Sequence, residues 1–340
     1  MDTTAMPIVA LRFESGALWA LDQTALPWQE VELELRTSDA VADAIARLAI
    51  RGAPLIGVAA GFGVALGIAA DPTEDGADRA CATLIAARPT AANLAWAARR
   101  VRAAAGSPPS PGAALAEARA IHGQEIAASD AMANHGAGLL ASARRLMTHC
   151  NTGALAAPGR GSALSVAAEM HARGRLELVI ATESRPLLQG ARLTVYELGR
   201  LGISHELIVD SAAPGLIARG AVDAVIVGCD RVAANGDVAN KVGTYGLALA
   251  ARAARIPFVV IGPTSTVDLE CPSGEEIEIE ERDPAEILHV GATLMSPPET
   301  PCRNPAFDVT PAELVSALVT ERGIVRDPRP GSVAALFGPP

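Results

Sequence analysis

The stretch AVDAVIVGCD, residues 221–230, is a short apolar run that leads directly into a cysteine and an aspartate. A run of this length, followed by polar residues, predicts a buried β-strand. Similar apolar runs lie on both sides of it: LMTH (146–149), LELVIA (176–181), HELIVD (205–210) and IPFVVIG (256–262). Helical segments fit between them, at 161–173, 189–201, 212–219 and 240–254. This alternation of strands and helices predicts a doubly wound parallel sheet.

The first third of the chain has a different pattern, which predicts a mainly helical domain. Residues 8–22 have the pattern of a β-hairpin, with its turn at Ser15-Gly16. Helices are then expected from Ser38 to about 50, from Pro54 onward, at about 76–87 and 91–105, and along an Ala-rich stretch at about 113–142.

A length of 340 residues fits two domains. We predict an α/β protein with a mainly helical N-terminal domain, including an initial β-hairpin, over residues 1–125. A doubly wound, Rossmann-like catalytic domain with a parallel sheet is expected over 126–330. A loose tail is expected over 331–340.

Composition and charge exclude several classes of function. The formal net charge is −10, whereas a general nucleic-acid binder needs a basic face. A small anionic substrate remains compatible, because one phosphate needs only a few local donors. The apolar stretch 55–70 is short and contains glycines, so we predict a buried helix rather than a membrane span. The N-terminus lacks a basic segment followed by an apolar one, and no signal peptide is expected.

The cysteines and glycines do not form a recognised metal or nucleotide motif. The five cysteines are dispersed, without a C-x-x-C pair. That pattern predicts reduced thiols in a cytoplasmic protein and no zinc site. GFGVALG at 61–67 follows a predicted helix rather than a strand, so it does not predict dinucleotide binding. We therefore expect neither a metal nor a cofactor.

In doubly wound sheets, ligands bind beyond the carboxyl ends of the strands. Several reactive side chains stand at such positions: Cys150, Glu183, Arg185, Asp210, Asp230 and Thr264–Ser265. Structural roles compete with functional ones here. Cys150 also fits a packed small hydrophobe, and Asp230 also fits a cap for the loop after it. His149 is interpreted as a buried, hydrogen-bonded core residue.

Longer blocks of sequence carry a family resemblance: RGAP (51–54), ARPTAANLAWA (87–97), THCNTGALA (148–156), SRPLLQGARLTVYELG (184–199), CDRVAANGDVANKVGTYGLA (229–248), PTSTVDL (263–269) and NPAFDVTPAELV (304–315). On these blocks, which occur in order, the chain resembles the methylthioribose-1-phosphate isomerases of methionine salvage. That family resembles, in its fold, the regulatory subunits of the eukaryotic initiation-factor exchange complex. It also has sister enzymes that act on other pentose 1-phosphates.

The resemblance implies an aldose–ketose isomerase, an intramolecular oxidoreductase that makes 5-methylthioribulose 1-phosphate from 5-methylthioribose 1-phosphate. It implies Cys150 and Asp230 as the catalytic pair. It also implies substrate contacts from Arg51, Gly52, Ala53, Arg88, Gln189, Asn240 and Lys241. A homodimer without metal or cofactor is expected, with a small phosphorylated sugar as its partner and neither nucleic acid nor membrane.

Two alternatives stay open at this point. One is a sister isomerase for 5-deoxyribose 1-phosphate or ribose 1,5-bisphosphate, because Thr152 and the segment 208–217 depart from the form common in the family. The other is a non-enzymatic scaffold, like the exchange-complex subunits. A scaffold has no need for a thiol, an acid and several phosphate donors at the ends of strands and helices.

The residue types suit an isomerisation of this kind. The phosphate on C1 prevents ordinary ring opening, so an acid must protonate the ring oxygen. A carboxyl whose pKa is raised by burial can supply that proton, and Asp230 is the candidate. A thiolate at a helix N-terminus can act as the base. We expect such a helix directly after Cys150.

The predicted cations suit a phosphate. Arg51 and the amides next to it fit an anion at the start of the helix that Pro54 opens. Arg88 precedes a proline in a similar way, and Lys241 is expected at the start of another helix. The acidic run GEEIEIEERD (274–283) is interpreted as a solvated face or a subunit contact.

Overall fold

The computed structural model describes residues 8–338. Residues 1–7 of the predicted first domain and residues 339–340 of the predicted tail lie outside the described residues. The elements form two groups along the chain. Helices with a small antiparallel sheet come first, and a larger sheet with helices on both faces follows. The predicted α/β class is confirmed.

The first group begins with a three-stranded antiparallel sheet made of β1 (Leu11–Glu14), β2 (Ala17–Leu21) and β3 (Glu32–Leu35). The predicted hairpin is confirmed, and Ser15 and Gly16 turn with φ angles of 52° and 73°. The helices are α1 (Ser38–Ala46), α2 (Ala53–Ala70), α3 (Glu74–Ala87), α4 (Ala92–Ala104) and α5 (Pro111–Leu139). Helix α1 ends earlier than predicted, because Leu48 takes a left-handed φ of 63°.

Helix α2 lies at the centre of this group. It is long and apolar enough to cross a membrane, but 78% of it is buried, and it packs against α3, α4 and α5. Its glycines permit close approach: a Cβ added at Gly67 would lie 2.4 Å from the Cβ of Ala80. The stretch 55–70 is therefore the buried helix that its sequence predicts.

The second group contains β4 (Arg145–Thr148), α6 (Ala163–Ala172), β5 (Leu178–Thr182), α7 (Val195–Arg200), β6 (His205–Ile208), α8 (Ala213–Ala218) and β7 (Ala224–Val227). It continues with β8 (Arg231–Ala233), β9 (Val238–Lys241), α9 (Thr244–Ala254), β10 (Phe258–Ile261), β11 (Val267–Asp268) and α10 (Ala285–Leu288). It ends with β12 (His289–Val290), β13 (Thr293–Leu294), β14 (Phe307–Thr310), β15 (Ala317–Thr320) and β16 (Gly323–Arg326).

Seven of these strands form the large sheet, in the order β16-β15-β10-β7-β4-β5-β6. Neighbouring strands are parallel, except that β16 is antiparallel to β15. The chain runs outward from β4 through β5 to β6, then returns to β7 on the other side of β4. The strand order therefore reverses between β4 and β7. Ligands bind at such a switch point in doubly wound sheets, and Cys150 follows β4 while Asp230 follows β7.

A smaller sheet, ordered β11-β8-β9-β14, lies next to this switch point. Strand β9 pairs with the distant β14, with Lys241 opposite Phe307. The helix predicted over 240–254 is therefore too long, because α9 begins only at Thr244. Asn240 and Lys241 lie on a strand, and the prediction that Lys241 starts a helix is wrong.

Helix α5 contributes to two hydrophobic cores. Its first half, including Ala118 and Ile121, packs into the core around α2. Its second half, including Ala128 and Met132, packs into the core on one face of the large sheet. The domain boundary predicted at 125/126 falls inside this helix, between those two halves.

The described part of the C-terminal tail is packed. Val333 is fully buried in the core on the second face of the large sheet. Residues Ala334–Phe337 form a 3-10 helix, and Leu336 packs against the same core. The expectation of a loose tail is wrong for this segment, since its apolar side chains cover sheet residues that would otherwise face solvent.

Candidate active site

A cavity of about 270 Å³ lies at the switch point, between the two groups of elements. The predicted site residues that line it are Arg51, Gly52, Ala53, Arg88, Cys150, Gln189, Asp230 and Lys241. Residues that sequence reasoning missed share the lining, among them Gln23, Arg192, Arg231, Arg282 and Phe307. Both groups of elements therefore contribute walls to one site.

Cys150 stands in a strained turn directly after β4. Its φ angle is 63°, which is unusual for a residue with a side chain. Its N–H donates to Ser184 Oγ at 2.8 Å, and Thr194 Oγ1 donates to its carbonyl at 2.6 Å. The prediction of a helix starting here is wrong: residues 151–161 are turns, and α6 begins only at Ala163.

A buried carboxyl, Glu197, organises the turns after Cys150. It accepts hydrogen bonds from Asn151 Nδ2 and from the N–H of Ala154, each at 2.7 Å. Burial raises the pKa of Glu197 to about 7, against the lowering effect of these hydrogen bonds and of Arg51. Asn151 in turn accepts a hydrogen bond from Arg51 at 2.6 Å through its Oδ1. Glu197 thus holds the loop that positions Arg51.

Asp230 follows β7 by a short turn, and its N–H donates to Ala239 O at 2.9 Å. Among residues 8–338, no donor forms a hydrogen bond with its carboxylate. Burial raises its pKa above the ordinary 3.8, although Lys241, Arg51 and Arg88 oppose that shift. Burial shifts this carboxyl towards its protonated form, which is the direction that an acid catalyst requires.

Lys241 faces the cavity from β9. Its Nζ donates to Ala306 O at 2.9 Å and lies 4.9 Å from the centroid of the Phe307 ring. Burial lowers its pKa, while the charges of Cys150 and Asp230 raise it. Side chains alternate across a strand, so Asn240 points away. Asn240 does not line the cavity, and its Nδ2 donates to Thr244 Oγ1 at 2.9 Å.

The start of α2 forms the opposite wall. Gly52 is the N-cap residue with a φ angle of 98°, and a Cβ there would lie 2.4 Å from Ala156 O. Leu55 donates its N–H to that same carbonyl at 3.1 Å. In the described part of the chain, the N–H groups of Gly52 and Ala53 have no acceptor. Free amides at a helix N-terminus bind anions.

Arg88 reaches the cavity from the end of α3 and forms an ion pair with Glu280 at 2.7 Å. Arg282 also pairs with Glu280, at 2.9 Å. These arginines hold the pKa of Glu280 below its ordinary value, even though burial raises it. The interpretation of 274–283 as a solvated face misses this role. The alternating pattern of EEIEIEER does not indicate this ion pair, because Arg88 and Glu280 lie 192 positions apart in the sequence.

Two residues singled out from sequence have structural roles. His149 is buried, with Nδ1 2.6 Å from Thr182 Oγ1 and Nε2 2.8 Å from Val242 O. The interpretation as a hydrogen-bonded core residue is confirmed. Asp210 accepts hydrogen bonds from the N–H groups of Ser184 and Arg185, both at 2.7 Å.

No group of three or more His, Cys, Asp or Glu residues suited to a metal ion occurs among residues 8–338.

Comparison with known proteins adds the family. The model of the initiation factor 2 subunit family matches residues 49–327. The chain belongs to that family. A methylthioribose-1-phosphate isomerase of Syntrophotalea carbinolica is 47% identical, covering 98% of this chain and 100% of its own length. A 5-deoxyribose 1-phosphate isomerase of Moorella thermoacetica is 46% identical, covering 97% of this chain and 98% of its own.

A solved structure is similar over almost the whole length. The 5-methylthioribose 1-phosphate isomerase of Pyrococcus horikoshii superposes with a TM-score of 0.90 at 38% identity, covering 98% of this chain and 97% of that one. Within the initiation factor 2 subunit family, the chain is therefore similar in both sequence and structure to sugar-phosphate isomerases.

In this family member, three of the seven buried side-chain atoms without partners among the described residues belong to cavity residues. Of the described side chains, Gln23 Oε1, Gln189 Oε1 and Arg88 Nε are buried, lack a hydrogen bond and belong to lining residues. Buried polar groups are nearly always paired in folded proteins. Carboxamide oxygens accept and an arginine Nε donates. The set fits a ligand that offers both hydroxyl donors and anionic acceptors.

Proposed function

We propose that the chain is an aldose–ketose isomerase that converts 5-methylthioribose 1-phosphate into 5-methylthioribulose 1-phosphate. The observation that carries the proposal is the placement of Cys150 and Asp230 on one cavity, across from Arg51 and the start of α2. A thiol, a carboxyl that accepts no hydrogen bond from residues 8–338 and an anion-binding helix terminus suit proton transfer beside a phosphate. The relative at 47% identity that carries this activity in its name supports the choice of substrate.

Ring opening is assigned to Asp230. Its protonated carboxyl gives a proton to the ring oxygen while the bond between that oxygen and C1 breaks. The electron pair of the broken bond stays on oxygen, which becomes the hydroxyl on C4, and C1 becomes electron-poor. Arg51, Arg88 and the amides of Gly52 and Ala53 would hold the phosphate on C1 during this step.

Transfer of hydrogen from C2 to C1 is assigned to Cys150. Its thiolate removes the proton from C2, and the electron pair forms a C1–C2 double bond in an enol phosphate. The Cys150 thiol then gives a proton to C1, while the hydroxyl on C2 gives its proton to the Asp230 carboxylate and becomes the ketone. Both residues end in their starting protonation states, so the cycle is balanced.

The alternative route for this step is a direct hydride shift from C2 to C1, with Cys150 shaping the site. Reaction in D₂O tests the choice. Deuterium at C1 of the product supports the proton route, because a thiol exchanges its proton with solvent. Complete absence of deuterium, at every time point and after repeated turnover, would favour the hydride shift.

The proposed activity itself is tested by a phosphorus NMR time course. The purified chain is mixed separately with 5-methylthioribose 1-phosphate, 5-deoxyribose 1-phosphate and ribose 1,5-bisphosphate, without added metal or nucleotide. Preferred conversion of the first compound supports the proposal. Conversion of none of them would favour a non-enzymatic scaffold.

The second candidate function is isomerisation of 5-deoxyribose 1-phosphate. It is favoured by the relative at 46% identity that carries this activity in its name. The two substrates differ only in the methylthio group on C5, so the same catalytic residues serve both. A preference for the deoxy sugar in the NMR series would keep the mechanism and change the substrate.

We also propose a homodimer that works in the cytoplasm. The edge strand β6 carries Leu207 with 48% of its surface exposed, and Val209 beyond it is 53% exposed. Apolar side chains on an open sheet edge are typical of an interface. The free cysteines fit a reducing compartment. Sedimentation equilibrium should give twice the mass of one chain.

A further inference from the structure

Gln23 lies in the loop after β2 and is held by both groups of elements. Only 2% of its surface is exposed. Its backbone N–H donates to Ala49 O at 3.0 Å, and its carbonyl accepts a hydrogen bond from Arg192 Nη2 at 2.7 Å. Its side-chain Nε2 donates to Leu155 O at 2.7 Å. These bonds fix the position of the residue and the orientation of its carboxamide.

The remaining polar atom, Oε1, is left without a partner. It is buried, and none of the described residues donates a hydrogen bond to it. Gln23 lines the cavity that also contains Cys150 and Asp230. A buried acceptor that stays unpaired lowers the stability of the folded chain, whereas a ligand that brings a donor recovers the bond. Because Gln23 lines the cavity, we expect a ligand bound there to supply the donor.

The chemistry of that donor can be narrowed. An ionised phosphate offers only acceptors and is matched by Arg51, by Arg88 and by the free amides at the start of α2. A carboxamide oxygen would repel it. A hydroxyl group offers the required donor, and a sugar carries several of them.

We propose that Gln23 is a specificity-determining residue, whose Oε1 accepts a hydrogen bond from a hydroxyl group of the sugar. This inference rests on the proposed function, because it assigns a contact to the same substrate. Gln23 thus adds recognition of the sugar to a wall that otherwise binds phosphate. A site built to bind a hydroxyl strongly disfavours ligands that lack it.

Calorimetric binding to the full chain tests the assignment without depending on turnover. The probes are 5-methylthioribulose 1-phosphate and inorganic phosphate, each titrated into the wild type and Gln23→Met. Methionine has a similar length and cannot make the hydrogen bond. The expected result is about a tenfold loss of affinity for the sugar phosphate and less than a twofold change for phosphate.

The matched control is Gln29→Met, which makes the same substitution at an exposed position of the same loop. It should leave both affinities unchanged. An equal loss for both probes in Gln23→Met would overturn the proposal, since Gln23 would then only support the loop. An unchanged affinity for the sugar phosphate would overturn it as well.

A crystal structure of the wild type with the same sugar phosphate covers the case in which Gln23→Met does not fold. A sugar hydroxyl within about 3.2 Å of Oε1 supports the proposal, and one beyond about 3.5 Å contradicts it. The NMR time course on the wild type reports separately on the proposed function. Failure of the Gln23 contact with normal conversion would therefore leave that function intact.

Discussion

At the scale of single residues, strain marks the turn where Cys150 stands. Left-handed backbone at a residue with a side chain persists only where its surroundings determine it. Here Ser184 accepts the N–H of Cys150, and Thr194 donates to its carbonyl. The turn ends β4 at Thr148 and places the thiol at the switch point. No helix begins next to this thiol, and Lys241 is one of the charged residues that line the same cavity.

Removing either proposed catalytic group should abolish turnover. We expect Cys150→Ala and Asp230→Asn each to lower kcat by at least about 10³-fold, within the range that proton-transfer groups contribute. Steady-state kinetics on the sugar phosphate measures the loss. Affinity for inorganic phosphate should stay within about threefold of the wild type, because the start of α2 is untouched in both variants.

A matched cysteine variant separates reactivity from packing. Cys302→Ala changes a partly exposed cysteine outside the cavity and should keep the wild-type kcat. Near-normal turnover by Cys150→Ala or by Asp230→Asn would contradict the role assigned to that residue.

At the scale of elements, the N-terminus of α2 depends on a glycine. Gly52→Ala would bring a Cβ to 2.4 Å from Ala156 O and 2.5 Å from Ala156 Cα. Because both are backbone atoms, the turn at 153–157 must move away from α2. We expect KM for the sugar phosphate to rise at least about tenfold, and thermal unfolding to show a loss of more than about 1 kcal/mol.

Gly106→Ala is the matched control for that variant. Gly106 has a similar φ of 77°, but its added Cβ would meet no atom of the described residues within 4 Å. It should cost only about 1 kcal/mol of stability, from the strained backbone, with an unchanged KM. Equal effects of the two substitutions on KM would rule out the contact with Ala156 as the cause.

Helix α5 carries a buried acid whose titration should affect stability. Glu125 accepts a hydrogen bond from Ser265 at 2.7 Å, and burial, with a contribution from Glu321, raises its pKa to about 7. The folded chain therefore holds this proton more tightly than the unfolded chain, where the pKa is near 4.5. Stability from this group is present below about pH 4.5 and is lost as the pH rises through about 7.

We expect Glu125→Gln to be more stable than the wild type at pH 8, by on the order of 3 kcal/mol, and about equal to it at pH 4.5. Urea unfolding at both pH values measures the difference. Glu117→Gln changes a partly exposed acid on the same helix that pairs with Arg100, and it should give no gain in stability at pH 8, because it removes an ion pair. A pH-independent effect of Glu125→Gln would contradict the raised pKa.

The sequence predicts those elements that depend on a local pattern of apolar and capping residues. It does not predict those that depend on hydrogen bonds to residues far away in the sequence. The buried strands and α2 follow from short apolar runs and capping residues. Lys241 is wrongly predicted on a helix because the pairing of β9 with the nearby β8 stops at Ala239, and Lys241 is paired only by the distant β14, which ends 69 positions later at Thr310. Gln23 and Glu280 were missed for the same reason: their partners Leu155 and Arg88 lie in the other group of elements.

At the scale of the whole molecule, the site exists because two groups of elements meet at the reversal of strand order. The sequence predicts Cys150 and Asp230 at strand ends, and the family resemblance selects them from the other residues at such positions. The strand order that places both at the switch point comes from the structure. The sequence predicts Arg51, Gly52 and Arg88 as separate phosphate contacts. It does not predict that they face the switch point, because the packing of α2 is not specified by the periodicity of its apolar residues.

Arg192 is one of the side chains that connect the two groups of elements at the cavity. Arg192, next to α7, donates through Nη2 to the carbonyls of Gln23, Thr24 and Leu26, at 2.7, 3.0 and 2.8 Å. We expect Arg192→Lys to keep the charge but not this set of hydrogen bonds, since an ammonium on a shorter stem cannot reproduce the geometry. The loop that carries Gln23 would then be in place for only a fraction of the time. The apparent affinity for the substrate is then the intrinsic affinity multiplied by that fraction, whereas the bound complex still reacts.

Steady-state kinetics should therefore show a KM for Arg192→Lys that is about tenfold higher, with kcat changed less than about threefold. Arg200→Lys is the matched control: Arg200 also joins the two groups, through an exposed ion pair with Glu30 at 2.7 Å. Exposed ion pairs contribute little, so its KM should be unchanged. A large drop in kcat for Arg192→Lys would instead indicate that Arg192 takes part in the chemical step. Equal effects of both variants on KM would mean that many contacts between the two groups of elements, and not Arg192 in particular, hold the loop in place.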